Sequence, residues 1–144
     1  MKFLVAILAA LSLSFAAHGA DIEINDPWIR AVPPSSSATA GFFVIVNKSA
    51  APISLVGAEA PISKDIRPMV TTKISAGGKD VMGMEFVDRL TVEAGKSLAL
   101  VPGGDHLMFM KLADVPAAGS VVPVTLIFET PSGRKSLAIR APVR

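Results

Sequence analysis

Short apolar runs rich in β-branched residues recur along this chain at intervals of roughly ten residues, and turn-forming residues separate them. Apolar and polar positions alternate most clearly over residues 122–128, where Pro123 indicates that the strand begins at an edge or at a bulge. Eleven prolines and eleven glycines leave little room for helices. The pattern predicts an all-β domain, a sandwich or a barrel, with strands over residues 22–24, 40–47, 53–58, 66–72, 81–87, 97–100, 106–112, 121–129 and 136–139.

The first 20 residues have the organisation of a secretory signal. Lys2 supplies a positive start, residues 3–17 are almost wholly apolar, and small residues follow where a signal peptidase would cut. This run is shorter than the roughly 20 residues that a membrane-spanning helix needs, so a retained anchor is the lesser alternative. We therefore expect a signal peptide over residues 1–20 and one exported domain over residues 21–144, beginning near Ala20 or Asp21.

Charge and cysteine content exclude several classes of function. The formal charge of the chain is only +2, it falls by one when Lys2 is removed, and the charged residues are scattered. Nucleic acid and anionic lipid are therefore not expected as partners, nor is stable membrane insertion after the signal is removed. The absence of cysteine excludes disulfides, cysteine-based zinc sites and blue-copper electron-transfer centres. Stability has to come from packing alone.

Soft sulfur ligands and the one histidine of the mature segment are concentrated in a single stretch. Thioether sulfur and imidazole nitrogen, without a thiolate, form a ligand set that suits Cu(I). Methionine is also a common core filler, and any one of these side chains could equally be packing. Their concentration favours ligation, because residues 21–68 and 111–144 contain no methionine and no histidine. The stretch contains Met69, Met82, Met84, His106, Met108 and Met110.

The geometry of a strand would bring several of these ligands together. A period of two puts His106, Met108 and Met110 on one face of their strand. Cα atoms at positions i and i+2 are about 6.6 to 7 Å apart, a distance that two flexible side chains can close around one ion. Met82 and Met84 have the same spacing. A three- or four-coordinate site built from such pairs is physically reasonable.

The spacing also resembles a known family. Met84 is followed after 21 residues by His106-Leu107-Met108, and the preceding Pro-Gly-Gly-Asp completes a motif that closely resembles the signature of the periplasmic Cu(I) chaperones called PCuAC. Residues 26–34, 41–47 and 123–129 also look like that family. The resemblance implies a single-domain, cupredoxin-like Greek-key β-sandwich or barrel that binds one Cu(I) near its surface and passes it on, which requires no catalysis.

The resemblance implies three copper ligands directly and a fourth only through an assumed insertion. Met84, His106 and Met108 match the family motif directly. Family members usually have a histidine, less often a methionine, 11 residues before the motif methionine, where this chain has Lys73, which cannot serve. If the glycine-containing loop over residues 73–80 carries an insertion of four residues, Met69 aligns with the usual histidine. We adopt this alignment. One imidazole and three thioethers should prefer Cu(I) over Cu(II) even more strongly.

The resemblance further implies a copper-accepting partner, such as the copper centre of cytochrome c oxidase or another copper chaperone, and we expect a monomer. Some members have a second copper site in a His- and Met-rich tail, and because residues 141–144 have no such composition we expect no second site here. We expect Trp28 in the core, and Asp105 as a turn residue rather than an acceptor that orients His106. Two other functions stay open: an exported structural or adhesive sandwich whose methionines only pack, and a hydrolase, which the lack of a Gly-x-Ser-x-Gly motif disfavours.

Overall fold

Strands provide all of the regular structure in residues 17–19 and 21–144, the part of the chain that the computed structural model describes. No helix in this part is long and apolar enough to span a bilayer. The predicted signal peptide, except for residues 17–19, lies outside the described residues. The strands are β1 (Ala17–Gly19), β2 (Ile22–Ile29), β3 (Thr39–Asn47), β4 (Ile53–Glu59), β5 (Asp65–Ala76), β6 (Lys79–Phe86), β7 (Leu90–Val92), β8 (Ser97–Ala99), β9 (His106–Met110), β10 (Val121–Thr130) and β11 (Gly133–Pro142).

The strands form two antiparallel sheets, as the all-β prediction required. The seven-stranded sheet has the order β1-β2-β3-β9-β5-β6, and β8 also pairs with β3. The four-stranded sheet has the order β11-β10-β4-β7. Strands distant in sequence are neighbours in both sheets, for example β3 with β9 and β10 with β4. Several loops therefore cross from one sheet to the other.

The hydrophobic core lies between the two sheets and is built from alternate positions of their strands. In β10, the buried residues Val122, Val124, Leu126 and Phe128 alternate with more exposed ones. Pro123 is tolerated because only β11 pairs with β10 at that point; the pairing with β4 begins two residues later. The missing proline N–H therefore costs no hydrogen bond between β10 and β4, and the predicted local edge is present.

The strands differ from the predicted ones mainly where they leave the core. β5 and β6 form a long hairpin whose outer part carries residues that the pattern assigned to a loop. Gly77 and Gly78 close it with φ angles of 60° and 78°. Two successive residues with positive φ are typical of a type I′ turn, which favours glycine. The sequence pattern missed the outer hairpin because a strand beyond the core needs no alternation of apolar and polar residues. It missed β7 because three residues are too few to show a period.

Gly41 on β3 permits the close approach of β3 to a core ring. A Cβ atom added there would lie 2.7 Å from Cε2 of Phe109. We expect Gly41→Ala to lower the free energy of unfolding by about 1 to 3 kcal/mol, because the buried ring has to shift. Urea denaturation measures this change. Gly57→Ala is the matched control, since nothing lies within 4 Å of its added Cβ. Equal stability of both variants would contradict the prediction.

Candidate metal centre

The outward face of the seven-stranded sheet carries the ligands that the sequence predicts. On β9, Leu107 and Phe109 are fully buried in the core cluster. The alternation of a strand therefore places His106, Met108 and Met110 on the opposite, outward face. The grouping of these three side chains on one face agrees with the period of two that the sequence predicts.

Strand pairing brings two more methionines to this face. Met69 on β5 is directly opposite His106 on β9, and Thr71 on β5 is directly opposite Met84 on β6. Directly opposite residues share a face, with Cβ atoms about 4.5 to 5.5 Å apart. Met69 and Thr71 are two residues apart and also share a face. Met69, Met84, His106 and Met108 therefore lie on one face of three adjacent strands.

A cavity of about 210 Å³ lies on this face, and three of the four predicted ligands line it. They are Met84, His106 and Met108. Met84 is 57% exposed and His106 only 4%, so the ligands extend from solvent to the protein interior. Met69 is not among the lining residues; it is 8% exposed and lies beside His106 in the register of β5 and β9.

A backbone hydrogen bond orients the imidazole of His106. Its Nδ1 atom lies 3.0 Å from the carbonyl oxygen of Gly104. A carbonyl can only accept, so Nδ1 carries the hydrogen in this contact, and the neutral ring keeps a lone pair on Nε2. Metal-binding histidines are commonly held in this way, by a carbonyl or a carboxylate on the other ring nitrogen. In this tautomer, Nε2 is the ring nitrogen left for a metal.

Asp105 fastens the loop that precedes β9 to strand β5. Its Oδ1 atom accepts a hydrogen bond of 3.3 Å from the backbone N–H of Thr71. The hydroxyl of Thr71 donates in turn to the carbonyl of Gly103, at 3.2 Å. Asp105 thus serves as the turn residue that the sequence favoured, and the carbonyl of Gly104 orients the imidazole.

Aromatic and cationic side chains surround the buried end of the cavity. The ring of Phe42 lies 6.2 Å from the ring of His106 and 4.6 Å from the ring of Trp28. The guanidinium of Arg30, which also lines the cavity, lies 5.3 Å from the centre of the Phe42 ring. Stacking on an aromatic face holds a guanidinium in place without neutralising it. The cavity therefore has an apolar wall and a positive rim.

The expectation that Trp28 lies in the core is wrong. Trp28 is half-buried and is not part of the core cluster. A bulge in β2 between Asn25 and Trp28 adds one residue to that strand, with Asp26 at a φ of 50°. The extra residue reverses which positions face inward, so Ile29 enters the core and Trp28 turns outward. Sequence periodicity alone does not reveal such a bulge.

The remaining methionines lie on the same face but outside the cavity. Met82 is directly opposite Lys73 near the outer end of the hairpin and is 65% exposed. Met110 is opposite Asp65 at the far end of β9 and is partly buried. A sandwich whose methionines only pack would bury all five away from His106. The exposure of Met82 and of Met84, which shares the cavity with His106, disagrees with that hypothesis.

Two alternatives have less support at this site: a metal held by His, Cys, Asp and Glu side chains, and a hydrolase. Within residues 17–19 and 21–144, no cluster of three or more His, Cys, Asp or Glu side chains could hold a metal ion. The predicted site instead consists of thioethers and one imidazole. The hydrolase alternative also loses support, because Nδ1 of His106 contacts a backbone carbonyl where a Ser–His–Asp triad would have a carboxylate.

Comparisons with known sequences identify related proteins. The family model described as "Putative lipoprotein LpqE-like" matches residues 22–143. A curated relative, "Putative lipoprotein Lxx21020" of Leifsonia xyli subsp. xyli (strain CTCB07), is 29% identical over 107 residues. That match covers 74% of this chain and 61% of the relative. The chain therefore matches less than two thirds of the length of this relative.

Solved structures with the same fold include copper-bound ones. The solution structure of CuI-DR1885 from Deinococcus radiodurans is 36% identical, has a TM-score of 0.64, and the match covers 84% of this chain and 76% of that one. The copper-bound PCuAC domain from PmoF2 is 19% identical, with a TM-score of 0.69 and coverage of 89% and 97%. The fold is therefore the cupredoxin-like fold of PCuAC domains, as the sequence resemblance implied.

Removal of the Asp105 carboxylate should loosen the attachment of the β9 loop. We expect Asp105→Ala to lower the free energy of unfolding by about 1 kcal/mol, the typical net contribution of one hydrogen bond. The Thr71 amide should also exchange its hydrogen faster, which NMR measures directly. Asp114→Ala, at an exposed position, is the matched control. Unchanged exchange at Thr71 would contradict this role of Asp105.

Proposed function

The chain belongs to the LpqE-like family, and we propose that it is an exported carrier that binds one Cu(I) ion and delivers it to a partner. One observation carries this proposal: Met84, His106 and Met108 line a single cavity on the outward sheet face of a PCuAC-type fold. Thioether sulfur and neutral imidazole are ligands that select Cu(I). The ion is cargo, so the protein has to bind and release it and needs no catalytic group.

The three cavity ligands have different freedom to move. His106 is buried and hydrogen-bonded through Nδ1, which makes it the fixed nitrogen ligand. Met108 lies two residues further along the same strand. Met84 is exposed on the edge strand β6 and can leave the ion first when a ligand from the partner approaches. Stepwise replacement of this kind allows tight binding and transfer in the same site.

Met69 is the proposed fourth ligand. Its position directly opposite His106, on the outward face, supports this role. The hairpin also explains how the chain accommodates the insertion that the family alignment requires. Four extra residues lengthen each strand of a hairpin by two, and a shift of two residues keeps every side chain on its face. The proposed site then has one nitrogen and three sulfur ligands.

We place the carrier in the periplasm, in accord with the predicted signal peptide and with the relatives whose names describe lipoproteins. The copper-bound structures of similar chains support the cargo. The recipient that we propose is a copper-accepting protein, such as the copper centre of cytochrome c oxidase or another copper chaperone. The positive rim provided by Arg30 would favour an acidic docking surface on that recipient.

Cu(I) titration of the mature protein against a competing chelator, without oxygen, tests the proposed cargo. We expect one tight equivalent. His106→Ala and Met108→Leu should each weaken it at least about tenfold, the smallest loss typical even of residues that only support a ligand. Met110→Leu is the matched control, because Met110 shares the strand and face but lies outside the cavity. Absence of tight binding, or binding that neither cavity substitution changes, would contradict the proposal.

X-ray absorption of the copper-loaded protein tests the fourth ligand separately. Wild type should show three sulfur ligands and one nitrogen, and Met69→Leu should show one sulfur fewer. Leucine has nearly the volume of methionine, so the buried position should stay packed. Met110→Leu should leave the sulfur count unchanged. An unchanged count in Met69→Leu would make Met69 a packing residue and would leave the other three ligands in place.

A further inference from the structure

Strand β6 is an edge strand with an unusually apolar surface. In the described part of the chain it occupies one end of the seven-stranded sheet and pairs only with β5. Its side chains Val81, Met82, Met84 and Phe86 are between 44% and 65% exposed. Natural edge strands usually carry charges, prolines or bulges along their length, which prevent pairing with another chain. Between Val81 and Met84, β6 has no charge and no proline, and its charged residues Lys79, Asp80 and Glu85 lie toward its two ends.

We propose that β6 pairs antiparallel with β6 of a second copy of this chain, so that the two sheets that end in β6 become one continuous sheet. A second copy is the occupant because Lys79 of one β6 can pair with Glu85 of another across a twofold axis. Lys79 at its start and Glu85 near its end are both exposed. In an antiparallel pair related by a twofold axis, the start of each strand lies beside the end of the other.

Backbone geometry restricts the possible registers. Opposite residues that exchange hydrogen bonds must both direct their N–H and C=O groups away from β5, and that direction alternates along a strand. Opposite residues therefore differ by an even number of positions, and the twofold axis passes through a residue. With the axis at Met82, Lys79 is opposite Glu85 of the second copy, and the symmetry produces this ion pair twice.

Neighbouring registers lose the complementarity. With the axis at Gly83, Lys79 lies opposite Val87, beyond the end of β6, and Glu85 lies opposite Val81. With the axis at Val81, Lys79 lies opposite Gly83, and Glu85 lies opposite Gly77 in the turn. Charge complementarity therefore selects the register centred on Met82, which pairs residues 79–85 of the two copies.

The proposed dimer leaves the outward face accessible. Side chains stand roughly perpendicular to a sheet, so pairing of the β6 edges uses backbone groups and places no strand over the outward face. The inference is independent of the copper proposal, since either could fail while the other holds. It differs from the monomer that the sequence led us to expect.

Analytical ultracentrifugation of the mature protein over a range of concentrations tests the dimer. We expect a concentration-dependent monomer–dimer equilibrium. Lys79→Glu and Glu85→Lys should each weaken it about tenfold or more, because each replaces two favourable cross-strand pairs with two repulsive ones. The double variant K79E/E85K should regain wild-type association. The symmetry also predicts that an equimolar mixture of the two single variants forms a heterodimer, in which both pairs are again of opposite charge.

Lys135→Glu is the matched control, since Lys135 is exposed on β11, the edge strand of the other sheet. It should leave the association unchanged, and Cu(I) titration of every variant checks independently that the site is intact. Wild type that stays monomeric at all concentrations would overturn the proposal. So would a dimer that persists in both single variants, or a mixture of them that fails to associate.

Discussion

The register between β9 and β5 is the constraint on which the candidate site depends. It places Met69 opposite His106, and it positions β5 so that β6 brings Met84 to the same face. A slip by one residue would send every ligand of a strand to the opposite face. Leu107 and Phe109 prevent such a slip, because their burial in the core would be lost. The packing of the inner face of β9 therefore determines the geometry of its outer face.

The loop that precedes β9 orients the imidazole of His106. Two backbone carbonyls and one carboxylate connect the loop to its surroundings: Gly104 holds Nδ1 of His106, while Gly103 and Asp105 are bonded to Thr71. The proposed nitrogen ligand is thereby held in one orientation. Met84, on the exposed edge strand, has more freedom. A carrier benefits from this difference, since a fixed ligand supports affinity and a mobile one supports release.

Edge strand β6 has two potential functions: its side chains can contribute a metal ligand, and its backbone can pair with another strand. Its outward side chains include the proposed ligand Met84, and within the described residues its outer backbone edge has no strand beside it. Side chains and edge point in perpendicular directions, so the two uses do not compete. The extension of the β5–β6 hairpin beyond the core makes the edge accessible, and the same extension lengthens the chain between Met69 and Met84.

The sequence by itself determined the all-β class and the shared face of His106 and Met108, because a period of two is a local property of the chain. The family resemblance selected four of the six candidate ligands and implied the cupredoxin-like fold, and structural comparison confirmed that fold. Only the tertiary structure decided that Met69 lies opposite His106 and that Trp28 lies outside the core. The first depends on pairing between segments far apart in the chain, and the second on a bulge that reverses the local alternation. Neither leaves a periodic signal in the sequence.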